Sequence, residues 1–177
     1  PSVIKNVPQV ADVLTMLKIM KSLGAKVQCS GSTVHVDPSG VRNPVLTYKL
    51  VSTMRGSICF LGPFLARFNE AQVSFPGGCV IGPRPGGLHL KGVRALGAEV
   101  SLAHGYVVAK AKKLKGARIF LGGAFGSSVL GTANVMMAAT MAWGRTVIDN
   151  AACEPEVVDL GNFLKKMGAR IDGLGSP

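Results

Sequence analysis

Val10, Val13, Leu14, Leu17, Met20 and Leu23 recur at intervals of three and four, which places them on one face of a helix. Gly24 follows and supplies a left-handed stop, after which residues 26–28 read as a strand. The same ending returns twice. Residues 21–26 read KSLGAK, 94–99 read RALGAE and 166–170 read KMGAR, with the glycines 73 and 71 residues apart. In each copy an amphipathic stretch precedes the glycine and a β-rich stretch follows it.

A second kind of helix lies between these. Residues 53–68 follow a predicted strand at 48–51, and Pro63 predicts a kink within them. Residues 132–143, TANVMMAATMAW, are apolar on nearly every side, the pattern of a helix buried all round. Predicted strands at 71–75 and 145–149 follow the two helices in matching places. The repeating unit is strand, helix, strand, helix, strands over about 70 residues, longer than a solenoid repeat. This predicts an α/β fold of repeated units packed around buried helices. A partial unit covers about 1–47, a complete one about 48–118 and another partial one about 119–177. The first residue is Pro1 and no leader precedes it; the expectation is one incomplete domain, a piece of a longer chain.

Composition narrows the chemistry. Apolar residues make up 47% of the 177, too many for a disordered chain. The longest apolar run, 135–143, is too short to span a bilayer, so the chain is expected in the cytoplasm without membrane insertion. Twenty Lys and Arg against nine Asp and Glu leave a net charge of +11. That surplus favours an anionic partner: nucleic acid, a membrane surface or phosphorylated small molecules. Aromatic residues are only 6%, which weakens base stacking on single strands. The charge-rich residues 109–118 (AKAKKLKGAR) read as a solvated connection between strands, or as the patch of a basic nucleic-acid-binding module. Cys29, Cys59, Cys79 and Cys153 include no C-x-x-C pair, and His35, His89 and His104 complete no zinc spacing. Reduced thiols are expected.

Residues 76–87, PGGCVIGPRPGG, hold five Gly and three Pro in twelve positions, a composition that predicts a loop. Cys79 lies in it with Arg84 five residues on. A lone cysteine reads first as packing, but a basic, core-poor setting favours thiolate and nucleophilic chemistry. The other cysteines lack that setting: Cys59 falls in an apolar helix, Cys29 ends a strand and Cys153 adjoins a helix start. With Ser52 or Thr53 as N-cap, Arg55 falls in the first helical turn, where a cation opposes the dipole unless an anion is bound. An exposed surface arginine is the other reading. Residues 122–132, GGAFGSSVLGT, form a predicted loop ahead of the buried helix, either a simple cap or a cradle for phosphate oxygens. The absence of a lysine between Gly131 and Thr132 defeats a P-loop. Glu154 and Glu156 suit the start of the last helix, with Pro155 in its first turn; catalytic carboxylates are the alternative.

Four segments then carry a family resemblance: STMRGSI (52–58), FPGGCVIGPRP (75–85), LHLKGVRALGAEV (88–100) and NAACEPEVVDLGNFLKKMGA (150–169). They resemble the UDP-N-acetylglucosamine 1-carboxyvinyltransferases, enolpyruvyl transferases of the first committed step of peptidoglycan synthesis. The likeness spans essentially the whole chain. The related shikimate-pathway synthases share the architecture but lack the cysteine loop.

The resemblance implies an inside-out α/β barrel, with helices inside and sheets outside. It implies a second domain of the same parent chain, with the active site in the cleft between the two. It implies transfer of the enolpyruvyl group of phosphoenolpyruvate to the 3-hydroxyl of UDP-N-acetylglucosamine, with phosphate release and no metal or organic cofactor. Cys79 matches the cysteine that protonates the methylene carbon, forms a phosphoenolpyruvate adduct and is alkylated by fosfomycin. Arg55 matches a substrate-binding arginine and Arg84 one that holds phosphate. Pro85, Gly86, Gly87 and Leu88 match the segment around the uridine, and Gly126, Ser127, Ser128 and Val129 a later nucleotide contact. Gly86-Gly87 stands where many members have Val-Asp, so an acidic side-chain contact is missing and another acceptor is an open alternative. The family's Lys–Asn pair and its aspartate base match no residue here.

Overall fold

The computed structural model describes residues 1–51, 54–74, 87–124 and 126–177, with Leu50 and Arg55 described by backbone alone. In chain order the elements are β1 (Ser2–Ile4), α1 (Ala11–Ser22), β2 (Lys26–Ser30), β3 (Thr33–Asp37), β4 (Val45–Leu46) and α2 (Tyr48–Val51). A 3-10 helix (Arg55–Phe60) leads into α3 (Leu61–Phe68), β5 (Glu70–Ser74), α4 (Gly87–Ala95), β6 (Glu99–Ala103) and β7 (Tyr106–Lys110). Then come β8 (Arg118–Phe120), α5 (Val129–Ala139), β9 (Val147–Asp149) and α6 (Pro155–Lys166).

The recurring glycines end α1, α4 and α6 in one way. Gly24, Gly97 and Gly168 have φ of +99°, +93° and +104°. Their N–H groups donate to the carbonyls of Lys21, Arg94 and Lys165, and the next residues, Ala25, Ala98 and Ala169, donate to Met20, Val93 and Leu164 at 3.0–3.1 Å. This is the paired hydrogen bonding of a Schellman cap, which needs a left-handed residue. The first two caps launch antiparallel hairpins, β2–β3 and β6–β7. The third does not: after Ala169 the chain forms no described strand, contrary to the repeat. It turns at Gly173 and Gly175, both at positive φ, and Leu174 packs back onto Gly161 of α6.

The sheets repeat as well. β4 pairs in parallel with β5 across α3, and β8 pairs in parallel with β9 across α5. β1–β3–β2 has the antiparallel order of β5–β7–β6. The expected strand at 48–51 is instead α2; pairing with β5 ends at Leu46 opposite Val73, and Val51 N–H turns back to Thr47 O. The expected helix 53–68 is two helices of different type. Pro63 does not kink α3, because it is that helix's third residue, where no intrahelical acceptor awaits its missing N–H.

The core forms around α5. Its residues 131–136 and Ala138 are buried, whereas Met141 and Trp143 are 65% and 71% exposed. The helix begins earlier than 132–143 because the Ser128 side chain caps it, and it ends earlier, at Ala139. α3 and α4 approach it through glycines: a Cβ on Gly62 would strike the backbone and side chain of Asn134, and one on Gly92 would strike Val135. Leu61, Leu65, Val73, Val93, Leu96, Ile119, Leu121 and Val135 fill the same cluster.

Gly62→Ala is therefore expected to destabilise the fold by about 1–3 kcal/mol or more, the range of core overpacking, since backbone oxygen cannot yield as a side chain would. Thermal or urea melts measure it; an unchanged midpoint would contradict the packing. Cys59 lies partly buried in the 3-10 helix, and burial pushes its thiol up to about 11 from the ordinary 9.0. Above pH 9 the unfolded chain loses this proton while the folded one keeps it. Stability should fall by about 2–3 kcal/mol between pH 9 and 11, and Cys59→Ala should flatten that part of the profile.

Candidate active site

The start of α5 is built by glycine and serine. Gly123 and Gly126 exchange two backbone hydrogen bonds, at 2.9 and 3.1 Å, and Gly126 holds φ at +88°. Ser128 is extended (φ −120°, ψ 115°), and its Oγ accepts the Gly131 N–H at 3.1 Å. The expected loop at 122–132 is thus shorter: Val129 already belongs to the helix. Gly126 and Ser127 are exposed, and Ser128 and Val129 half-buried.

Gly87 opens α4 rather than closing the preceding loop. Leu88 packs over the α5 start: a Cβ on Gly123 or on Gly131 would lie 3.6 Å from its side chain. Four residues further along both helices, Gly92 meets Val135. Contacts that advance together mean that α4 and α5 run parallel, their N-terminal ends on one side. Their dipoles therefore add there, and first-turn N–H groups without helical acceptors favour an anion. The structure thus brings Gly87 and Leu88 beside Ser128 and Val129. Cys79, Arg84, Pro85 and Gly86 lie outside the described residues, in the segment between β5 and α4.

Arg55 begins the 3-10 helix, and the residue at its N-cap is Met54, not Ser52 or Thr53, which lie outside the described residues. This helix is tied to the other two by a buried polar group that the periodicity left unnoticed. Asn134 of α5, 0% exposed, accepts the Gly62 N–H on Oδ1 at 2.6 Å. Its Nδ2 donates to Ile58 O at 3.0 Å and lies 3.1 Å from His89 Nδ1. An asparagine within an apolar helix was the available signal, since a buried amide must find partners.

The other candidates have simpler surroundings. Glu154 and Glu156 are exposed, with Glu154 at the N-cap of α6 and Pro155 its first residue. Cys29 lies within β2, and it and Cys153 are exposed. The basic stretch 109–118 begins inside β7. Lys110 pairs with Glu70 at 3.0 Å, Lys113 sits 4.3 Å over the Trp143 ring and Arg118 binds Asp149 at 2.7 Å. Among the described residues no His, Cys, Asp or Glu cluster could hold a metal ion, and no helix is long and apolar enough to cross a membrane.

Comparison with known proteins bears on this arrangement. A UDP-N-acetylglucosamine 1-carboxyvinyltransferase of Geotalea uraniireducens (strain Rf4) is 57% identical over 98% of this chain and 41% of its own length. One of Geobacter metallireducens is 54% identical over the same shares. The chain thus spans about two fifths of these relatives. In structure it is similar to the enolpyruvyl transferase NikO from Streptomyces tendae, with TM-score 0.80, 22% identity, and coverage of 96% of this chain and 40% of that one. It is also similar to EPSP synthase from Acinetobacter baumannii, with TM-score 0.71, 17% identity, and coverage of 99% and 40%. These likenesses agree with the α/β architecture of buried helices and outer sheets. The model of the EPSP synthase (3-phosphoshikimate 1-carboxyvinyltransferase) family matches residues 1–177, and the chain belongs to that family.

Proposed function

We propose that the protein containing this chain transfers the enolpyruvyl group of phosphoenolpyruvate to the 3-hydroxyl of UDP-N-acetylglucosamine, releasing phosphate, in the cytoplasmic phase of peptidoglycan synthesis. The observation that carries the reading is the 57% identity over 98% of the chain to a relative so named. The parallel starts of α4 and α5 support it, because both substrates bring anionic groups that such an end attracts.

In this reading the acceptor hydroxyl gives its proton to a base outside this chain and adds to C2 of phosphoenolpyruvate, while Cys79 delivers a proton to the C3 methylene. A tetrahedral ketal results; a C3 proton returns to the Cys79 thiolate as the C2–O bond to phosphate breaks, phosphate leaves with the proton held by the base, and the enol ether is restored. Arg84 holds phosphate and Arg55 a substrate anion through charge-assisted hydrogen bonds. Pro85 to Leu88 and Gly126 to Val129 flank the nucleotide. The site is completed by the second domain of the parent chain, so this chain alone should release no phosphate. A second reading, a different acceptor, is favoured by Gly86-Gly87 and by a family model described for 3-phosphoshikimate transfer.

With the full-length protein, phosphate release from phosphoenolpyruvate should require UDP-N-acetylglucosamine; release with shikimate 3-phosphate instead would establish the second reading. Fosfomycin should label Cys79, faster with the sugar nucleotide present, and leave Cys59 untouched, since a thiol titrating near 11 is scarcely ionised at neutral pH. Peptide mass locates the adduct, and labelling elsewhere would contradict the role of Cys79. Arg84→Ala should raise the KM for phosphoenolpyruvate about tenfold or more, the loss of one charge-assisted hydrogen bond of about 1.5–3 kcal/mol.

A further inference from the structure

We propose that Asn134 is a positioning residue of the transferase site, its side-chain amide setting the relative placement of the three segments that carry the substrate contacts. The proposal rests on the transferase reading above.

The amide makes three contacts, one accepted on Oδ1 and two from Nδ2, all to groups far away in sequence. Gly62 is 72 residues distant, Ile58 76 and His89 45. Ile58 lies three residues after Arg55 in the same 3-10 helix. His89 lies in the first turn of α4, two residues after Gly87 and five after Arg84. Asn134 itself is the sixth residue of α5, one and a half turns from Ser128. Arg55, Gly87, Leu88, Ser128 and Val129 thus stand within six residues of Asn134 or of a residue bound to its amide.

The chemistry admits no ready substitute. Gly62 is the second residue of α3, and a helix's first N–H groups lack an intrahelical acceptor. Oδ1 supplies that acceptor from another helix. Ile58 O already takes the Leu61 N–H and receives Nδ2 as well. Because Nδ2 carries only hydrogens, its contact with His89 requires an unprotonated Nδ1. Leucine would fill the volume but leave Gly62 N–H and Ile58 O without this partner; aspartate would keep the Gly62 bond and lose both donations. Apolar packing between α3, α4 and α5 tolerates small slides, whereas three directed bonds at one atom group do not. A positional error near 1 Å is enough to impair catalysis strongly.

The test uses the full-length protein with Asn134→Leu, Asn134→Asp and His89→Leu, the last removing the α4 partner of the amide. Val34→Ala, in the separate small cluster of β3, serves as a comparator that lowers stability away from the site. For each variant the thermal midpoint, kcat and both KM values are measured well below the midpoint. Asn134→Leu should lose 10–100-fold in kcat/KM, with KM raised for the sugar nucleotide. His89→Leu and Asn134→Asp should lose several-fold, and Val34→Ala should stay within twofold at a similar midpoint loss. Should Asn134→Leu not fold, the two milder variants decide. Kinetic constants that track the midpoint alone, as in Val34→Ala, would overturn the positioning role while leaving the reaction intact. A wild-type protein that releases no phosphate from the two substrates would instead overturn the transferase reading and this proposal with it.

Discussion

Helix α5 is held so close to α3 and α4 that the facing positions on those two helices admit no side chain. A Cβ on Gly62 would strike Asn134 and one on Gly92 the Val135 side chain, and the Asn134 amide bonds across the same contact. An apolar interface of this kind is stabilised by dispersion and by removal of surface from water, neither of which is directional. The directed component comes from one buried amide. A buried amide costs several kcal/mol when unpaired, so the three helices hold their positions relative to one another or the core opens.

That constraint explains why parallel helices converge on one end of the molecule. α4 and α5 each follow the second or first strand of a parallel pair, and Leu88 on Gly131, then Gly92 on Val135, keeps them in step. Adjacent parallel dipoles repel each other, and an anion at their shared positive end relieves the repulsion. The opposite ends are finished otherwise: α1, α4 and α6 all stop at a glycine whose cap bonds the last carbonyls internally. Three helices thus close their negative ends with glycine, and α5 closes part of its positive end with Ser128, whose Oγ accepts the Gly131 N–H.

Much of this architecture was legible in the sequence, because glycine caps and helical periodicity are local. KSLGAK, RALGAE and KMGAR marked three helix ends to the residue, and the apolar run of α5 marked the buried helix. What failed depended on partners remote in sequence. Residues 48–51 look like a strand by composition, yet β4 can pair only as far as Leu46. In the earlier copies the stretch after the glycine pairs with a second strand about seven residues on; after Gly168 that place starts only at residue 177, and Leu174 lies on α6. Pro63 looked like a kink because the change from 3-10 to α-helix, two residues earlier, cannot be seen in a spacing of apolar residues. Of the candidate site, Leu88, Ser128 and Val129 could be named from motif similarity. An asparagine inside the apolar run signals a buried amide, but neither residue type nor spacing names partners 45 to 76 positions away.

The surplus of positive charge has a local account as well. Lys110, Lys113 and Arg118, which make residues 109–118 look like a nucleic-acid patch, are engaged with Glu70, Trp143 and Asp149. Exposed pairs of this sort contribute little to stability, but each gives its cation a partner within the chain. Arg55 is different in kind. It opens a helix whose N-cap, Met54, offers no side-chain acceptor, so neither cap nor dipole favours a cation there.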